Sequence, residues 1–78
     1  MTSTLADLLP GDTGVLAGLD LPVEDADRLM ALGFIPGVRV TLARVAPGGD
    51  PVVFRVDGAD VALRRETARR MTLRPRSA

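Results

Sequence analysis

The run Arg28-Leu-Met-Ala-Leu-Gly-Phe-Ile-Pro-Gly-Val-Arg-Val-Thr-Leu-Ala-Arg-Val-Ala-Pro-Gly-Gly-Asp-Pro51 constrains the fold more than any other part of this sequence. Leu29, Met30 and Leu32 are spaced as one broad apolar side of a helix. Gly33 follows at the position where a left-handed residue closes a helix, a conformation that glycine takes without a Cβ penalty. Phe34 is placed to fold back on Leu29, the apolar contact that completes such a cap. Pro36-Gly37 reads as a type II turn: proline sets φ at the first central position and glycine takes the positive φ at the second. Beyond it the period changes to two, with Val38, Val40 and Leu42 facing one way and Arg39, Thr41 and Ala43 the other. Ala46-Pro-Gly-Gly-Asp-Pro51, with Gly49, Asp50 and Pro51 at its end, stops that strand and reverses the chain.

The flanking segments extend the same pattern. Leu5, Leu8 and Leu9 precede a Pro-Gly-Asp turn and read as an arm whose leucines cover one end of the fold. Thr13 to Leu19 is a short apolar run whose Gly14 and Gly18 signal bends or close backbone approach. Asp20 to Leu32 carries the one convincing helix, with Pro22 in its first turn. Glu24, Asp25 and Asp27 complement its positive end, and Glu24 and Arg28 stand four apart in the favourable order for an ion pair. Downstream, Val52, Phe54 and Val56 alternate with Val53 and Arg55 as a further strand. Asp57-Gly58 is a two-residue hairpin signal, and Val61 and Leu63 face inward on the return. Arg65 to Arg69 makes about one helical turn, Met71 and Leu73 supply a last strand, and the tail from Pro75 to Ala78 is expected to fray. Five short strands with one helix inserted after the first predict a mainly β fold: one domain over residues 1–78, a small closed or nearly closed barrel. Closure removes edges that an open sheet of this size would expose.

The order of these pieces resembles the FeoA family, small cytosolic proteins of bacterial ferrous-iron uptake. The resemblance rests on Arg28-Leu29, Leu32-Gly33, Pro36-Gly37, and Ala46-Pro47 followed by Gly49-Asp50-Pro51. It extends to Leu8-Leu9-Pro10-Gly11-Asp12 and to Val61-Ala62-Leu63-Arg64 with Ala68, so it covers nearly the whole chain in order. It implies an SH3-like barrel and an accessory role in iron transport. The implied partner is FeoB, a polytopic iron permease with a cytosolic GTP-hydrolysing domain. The same small domain also occurs fused behind some metal-dependent repressors, so an auxiliary regulatory domain is the alternative reading.

Composition narrows the chemistry. There is no cysteine, histidine or lysine, which removes disulfides, thiol nucleophiles, zinc sites of the usual kind, Schiff bases and the commonest general base. No phosphate loop or nucleophile elbow is present, and the chain is read as non-catalytic. Glu24, Asp25 and Asp27 are oxygen donors suited to Fe²⁺ or Mg²⁺. Consecutive helical positions point apart, however, so no metal site or cofactor is expected beyond a weak, transient Fe²⁺ contact. Asp12, Asp50 and Asp57 stand beside glycine or proline and Asp60 two residues after Gly58, and all four are read as turn residues that cap local backbone.

Charge is balanced in total and uneven along the chain. Residues 1–38 hold six carboxylates against Arg28, whereas residues 39–78 hold nine arginines against four carboxylates. The arginines from Arg64 to Arg76 form a basic tail. With two phenylalanines and no tyrosine or tryptophan to stack bases, RNA binding by a small barrel is the weaker alternative. No apolar run is long enough to span a bilayer, and the N-terminus lacks a basic region followed by an apolar stretch. The expected place is the cytoplasm, peripheral to the inner membrane through the partner.

A docking module fits best. Ala31 to Ile35 holds more apolar residues than one side of a short helix buries, leaving two readings for Leu32 and Ile35: a small exposed patch rimmed by charge, or burial in the barrel mouth. The expected contact is Arg28, Leu32, Phe34 and Ile35, aided by Arg64 on the return strand. Gly33, Pro36, Gly37, Gly49, Asp50, Pro51 and Gly58 are structural turn and cap residues. Self-association is compatible with the same surface.

Overall fold

Strict alternation places Val52, Phe54 and Val56 on one face of a strand, and all three are buried, together with Val40 and Leu42 of the strand beside it. The structure, a computed structural model, describes residues 3–75; residues 76–78 of the tail expected to fray lie outside that range. Its elements are β1 (Thr13–Leu19), α1 (Val23–Ala31), β2 (Arg39–Val45), β3 (Val52–Val56), β4 (Ala59–Leu63), α2 (Arg65–Ala68) and β5 (Met71–Leu73). Two single 3-10 turns, Leu5–Asp7 and Pro47–Gly49, were not anticipated from the sequence.

The five strands form one antiparallel sheet in the order β4-β3-β2-β1-β5. Asp57 and Gly58 both have positive φ, 51° and 78°, the conformation of a tight two-residue hairpin between β3 and β4. In β2 the expected period of two holds through Leu42 and then shifts, because a bulge lies between Leu42 and Arg44. The shift turns Arg44 outward and lets Val45 pack on the core; an unbroken strand would have driven the guanidinium inward. Gly14 answers to close approach: a Cβ there would lie 2.9 Å from Cδ1 of Leu73.

β4 and β5 are the two edges of the sheet, and α2 runs between them with Ala68 fully buried. The edge of β5 is covered by the N-terminal arm: the Leu73 amide donates to the Ser3 carbonyl at 2.8 Å, and Thr4 bridges Thr72. Thr4 also opens the first 3-10 turn through a capping box, its hydroxyl accepting from the Ala6 amide and its own amide donating to Asp7. Leu5 is buried as expected of a covering leucine and Leu8 packs partly, but Leu9 is 67% exposed. A turn holds Leu9 outside, because the Asp12 amide donates to its carbonyl and the Asp12 carboxylate accepts from its amide.

The helix is shorter than expected. Pro22 is its N-cap residue and Leu29 its one buried side chain. The core itself is apolar throughout, with Phe34, Phe54, Leu5, Leu16 and Met71 among its largest members.

Candidate partner-binding site

The end of α1 is built by three backbone bonds. The Leu32 amide donates to the Leu29 carbonyl at 3.0 Å, the Gly33 amide to Met30 at 3.0 Å, and the Phe34 amide to Leu29 at 3.1 Å. This is the nested pair of bonds that ends a helix on a left-handed residue, and Gly33 has φ 111°. The next turn is fixed as tightly. Val38 donates to the Ile35 carbonyl at 2.9 Å across Pro36-Gly37, Gly37 has φ 98°, and its amide donates to Leu16 of β1 at 2.7 Å. The backbone thus ties the cap directly to the sheet.

This framework decides which apolar residues reach solvent. Leu32 is 48% and Ile35 53% exposed, so neither is buried in the barrel mouth. Phe34, expected to share that surface, is fully buried and lies in the same core cluster as Leu29. Its side chain supports the cap from beneath and has no surface to offer a partner. The two exposed side chains flank it in sequence, which is what a tight cap does to consecutive residues.

Arg28 and Arg64 are brought together. They line one groove of about 300 Å³ between α1 and the end of β4, together with Leu29, Leu63, Asp25 and Thr67. Arg28 does not pair with Glu24 as expected. Its Nη2 lies 3.6 Å from an Asp25 carboxylate oxygen, one turn back at spacing three, with both side chains largely exposed. Such a surface pair is weak and leaves Arg28 available to another anion.

Several polar residues carry structure beyond their own turns. Asp50 caps not its own loop but α2, accepting from the Arg65 amide at 2.9 Å. Arg65 returns the contact with Nε and Nη2 both donating to the Gly49 carbonyl, at 3.1 and 3.0 Å. Asp60, read as a turn residue, sits within β4, where it accepts from Arg55 at 3.0 Å and Arg44 at 3.2 Å. Those hydrogen bonds, Arg55 first, hold its carboxyl below the usual carboxylate range. Sequence reasoning missed these partners because each lies on another strand or loop.

A larger cleft of about 980 Å³ opens between the N-terminal arm and β1, with Arg39 and Arg74 on its walls. Its two carboxylates are spent on backbone, Asp7 on Thr4 and Asp12 on Leu9. Among the described residues no three carboxylates converge as a metal site. No helix among them is long and apolar enough to cross a membrane.

The sheet order, the helix inserted between β1 and β2 and the cap that ends it define a small SH3-like β-barrel. Residues 3–75 match the model of the FeoA domain, and the chain belongs to this family, which is associated with ferrous-iron transport. Similar solved structures include the FeoA protein of Chlorobium tepidum, 30% identical with a TM-score of 0.87 over 91% of this chain and 68% of that one. The FeoA of Stenotrophomonas maltophilia, solved with zinc and described as an SH3 domain protein, is 33% identical with a TM-score of 0.79, over 92% of this chain and 89% of that one. A curated relative from Porphyromonas gingivalis is an Fe(2+) transport protein A/Fe(2+) transporter FeoB fusion protein. It is 34% identical over 64 residues, which are 82% of this chain and 8% of the fusion protein's length.

Proposed function

We propose that this chain is a non-catalytic accessory protein of ferrous-iron uptake that docks on the cytosolic side of a FeoB-type membrane GTPase and iron permease. The observation that carries the reading is the pair Leu32 and Ile35, two large apolar side chains left in solvent at a helix cap closed by backbone bonds. Exposed large apolar residues at the end of a helix that carries charged residues are the kind of group found at an interface centre. The relative in which a similar segment shares one polypeptide with FeoB supports the choice of partner. Iron is the partner's cargo. The accessory chain acts by binding one state of the transporter more tightly than another, the only way a purely binding protein moves an equilibrium.

The test is capture of this chain by a purified FeoB-type transporter in detergent, with and without a GTP analogue. Ile35→Asp is expected to keep the fold, because the side chain already meets water, and to lose capture. Undiminished capture by that variant would remove the cap from the interface.

A further inference from the structure

The two edges of the sheet are treated differently. β5 is covered by the arm through Ser3 and Thr4, whereas β4 is the last strand on its side and pairs with β3 alone. The register shows which of its backbone groups are free. The two-residue turn makes Val56 and Ala59 a hydrogen-bonded pair. Alternation then makes Phe54 with Val61 and Val52 with Leu63 the other bonded pairs, so Asp60 and Ala62 direct their N–H and C=O groups away from β3. Among the described residues no other backbone group receives them.

An open edge normally invites indiscriminate pairing, and a charge along it is one protection. Here the Asp60 carboxylate is drawn back across the sheet face by Arg55 and Arg44 and does not guard the edge. At the other end of the strand, Ala62, Leu63 and Arg64 form one wall of the groove whose opposite wall is Leu21, Asp25 and Arg28 of the α1 side. Arg64 has no ion pair among the described residues, and Arg28 has only the long contact to Asp25.

We infer that the open edge of β4 and the groove beside it take an extended segment of the partner, added as a sixth strand. Backbone bonds to Asp60 and Ala62 hold the segment extended. An apolar side chain enters over Leu29 and Leu63, and a carboxylate one residue pair away meets Arg28 and Arg64. The occupant is thus an extended acidic-apolar peptide segment, recognised by strand addition with charge complementarity setting its register. The inference rests on the docking reading and specifies its mode.

The experiment measures amide hydrogen exchange of the full chain, free and bound to the purified FeoB-type transporter, together with the affinities of two variants. Binding is expected to protect the Asp60 and Ala62 amides, which exchange freely in the unbound chain. Ala62→Pro removes an N–H that β3 does not use, at an edge position where proline is tolerated; Arg64→Glu reverses the groove charge without touching the sheet. Each is expected to weaken binding about tenfold. If the transporter binds while both amides exchange as before and Arg64→Glu binds normally, strand addition is overturned and docking through the cap stands. If the wild-type chain binds in no nucleotide state, both readings are lost. Protection of the same amides that rises with the concentration of this chain alone assigns the edge to a second copy and overturns the proposed occupant.

Discussion

The guanidinium of Arg65 donates twice to one acceptor, the carbonyl of Gly49, while the Arg65 amide is received by the carboxylate of the next residue, Asp50. One arginine at the start of α2 thereby locks the β2–β3 loop against the connection between β4 and β5. Locally the loop has two backbone bonds, from the Gly49 amide to Ala46 at 2.9 Å and from the Ala46 amide to Pro51 at 3.0 Å, while Gly48 and Gly49 take positive φ with open space beside them.

Arg65→Ala is therefore expected to destabilise the chain by about 1–3 kcal/mol, the scale for losing charge-assisted bonds to a part-buried acceptor. Arg65→Lys should recover only part of this, because a single ammonium does not reproduce the fork. The urea midpoint of the two variants checks it; equal midpoints for wild type and Arg65→Ala would show that the loop is held by other means.

Gly33→Val separates backbone strain from crowding. A Cβ at Gly33 would meet its nearest neighbours at 3.7 Å, ordinary contact, so space is not the obstacle. The φ of 111° is, and a β-branched residue there should cost about 1–2 kcal/mol. An unchanged melting temperature would mean that the helix ends by some other geometry.

Gly14 and Gly18 lie on one strand and are expected to respond unequally. At Gly14 the added carbon would press on Cδ1 of Leu73 at 2.9 Å; at Gly18 the nearest atom is the Thr72 hydroxyl at 3.5 Å. Gly14→Ala should lose about 1–3 kcal/mol through overpacking, whereas Gly18→Ala should stay near wild type. Thermal denaturation of the pair settles whether β1 and β5 approach as closely as described.

The Asp60 cluster gives a pH dependence of known direction. Arg55 and then Arg44 hold its carboxyl below the usual range in the folded chain, so the unfolded chain takes up the proton at higher pH. The stabilisation is complete above the ordinary carboxylate pKa and is lost as pH falls through the depressed folded value. Asp60→Asn should accordingly flatten the loss of urea midpoint between about pH 6 and about pH 3. An acid limb as steep as that of wild type would assign it to other carboxylates.

What the sequence disclosed and what it concealed divide along the range of each interaction. The Gly33 cap, the Pro36-Gly37 turn and the Asp57-Gly58 hairpin are decided by neighbours within a few residues, and each stands where composition and spacing put it. The inward faces of β3 and β4 follow from alternation alone. Arg65 on Gly49, Asp50 on α2 and Arg44 on Asp60 join residues on distant elements, and no local pattern encodes them. Phe34 shows the boundary within the candidate site: the cap was legible, but its side chain's full burial depended on the sheet underneath. Arg28 likewise pairs with Asp25 at spacing three and not with Glu24 at spacing four.

The pairing of Leu16 with Leu73, and of Leu19 with Met71, joins the earliest strand of this fold to its latest. During synthesis β1 leaves the ribosome with one flank bare and stays so until Leu73 has emerged. Contacts this distant along the chain close slowly, and a bare strand flank in the interim is vulnerable to association with other nascent chains. Without β5 the sheet is four-stranded, and the flank of β1 stays open until Met71 to Leu73 pair with it.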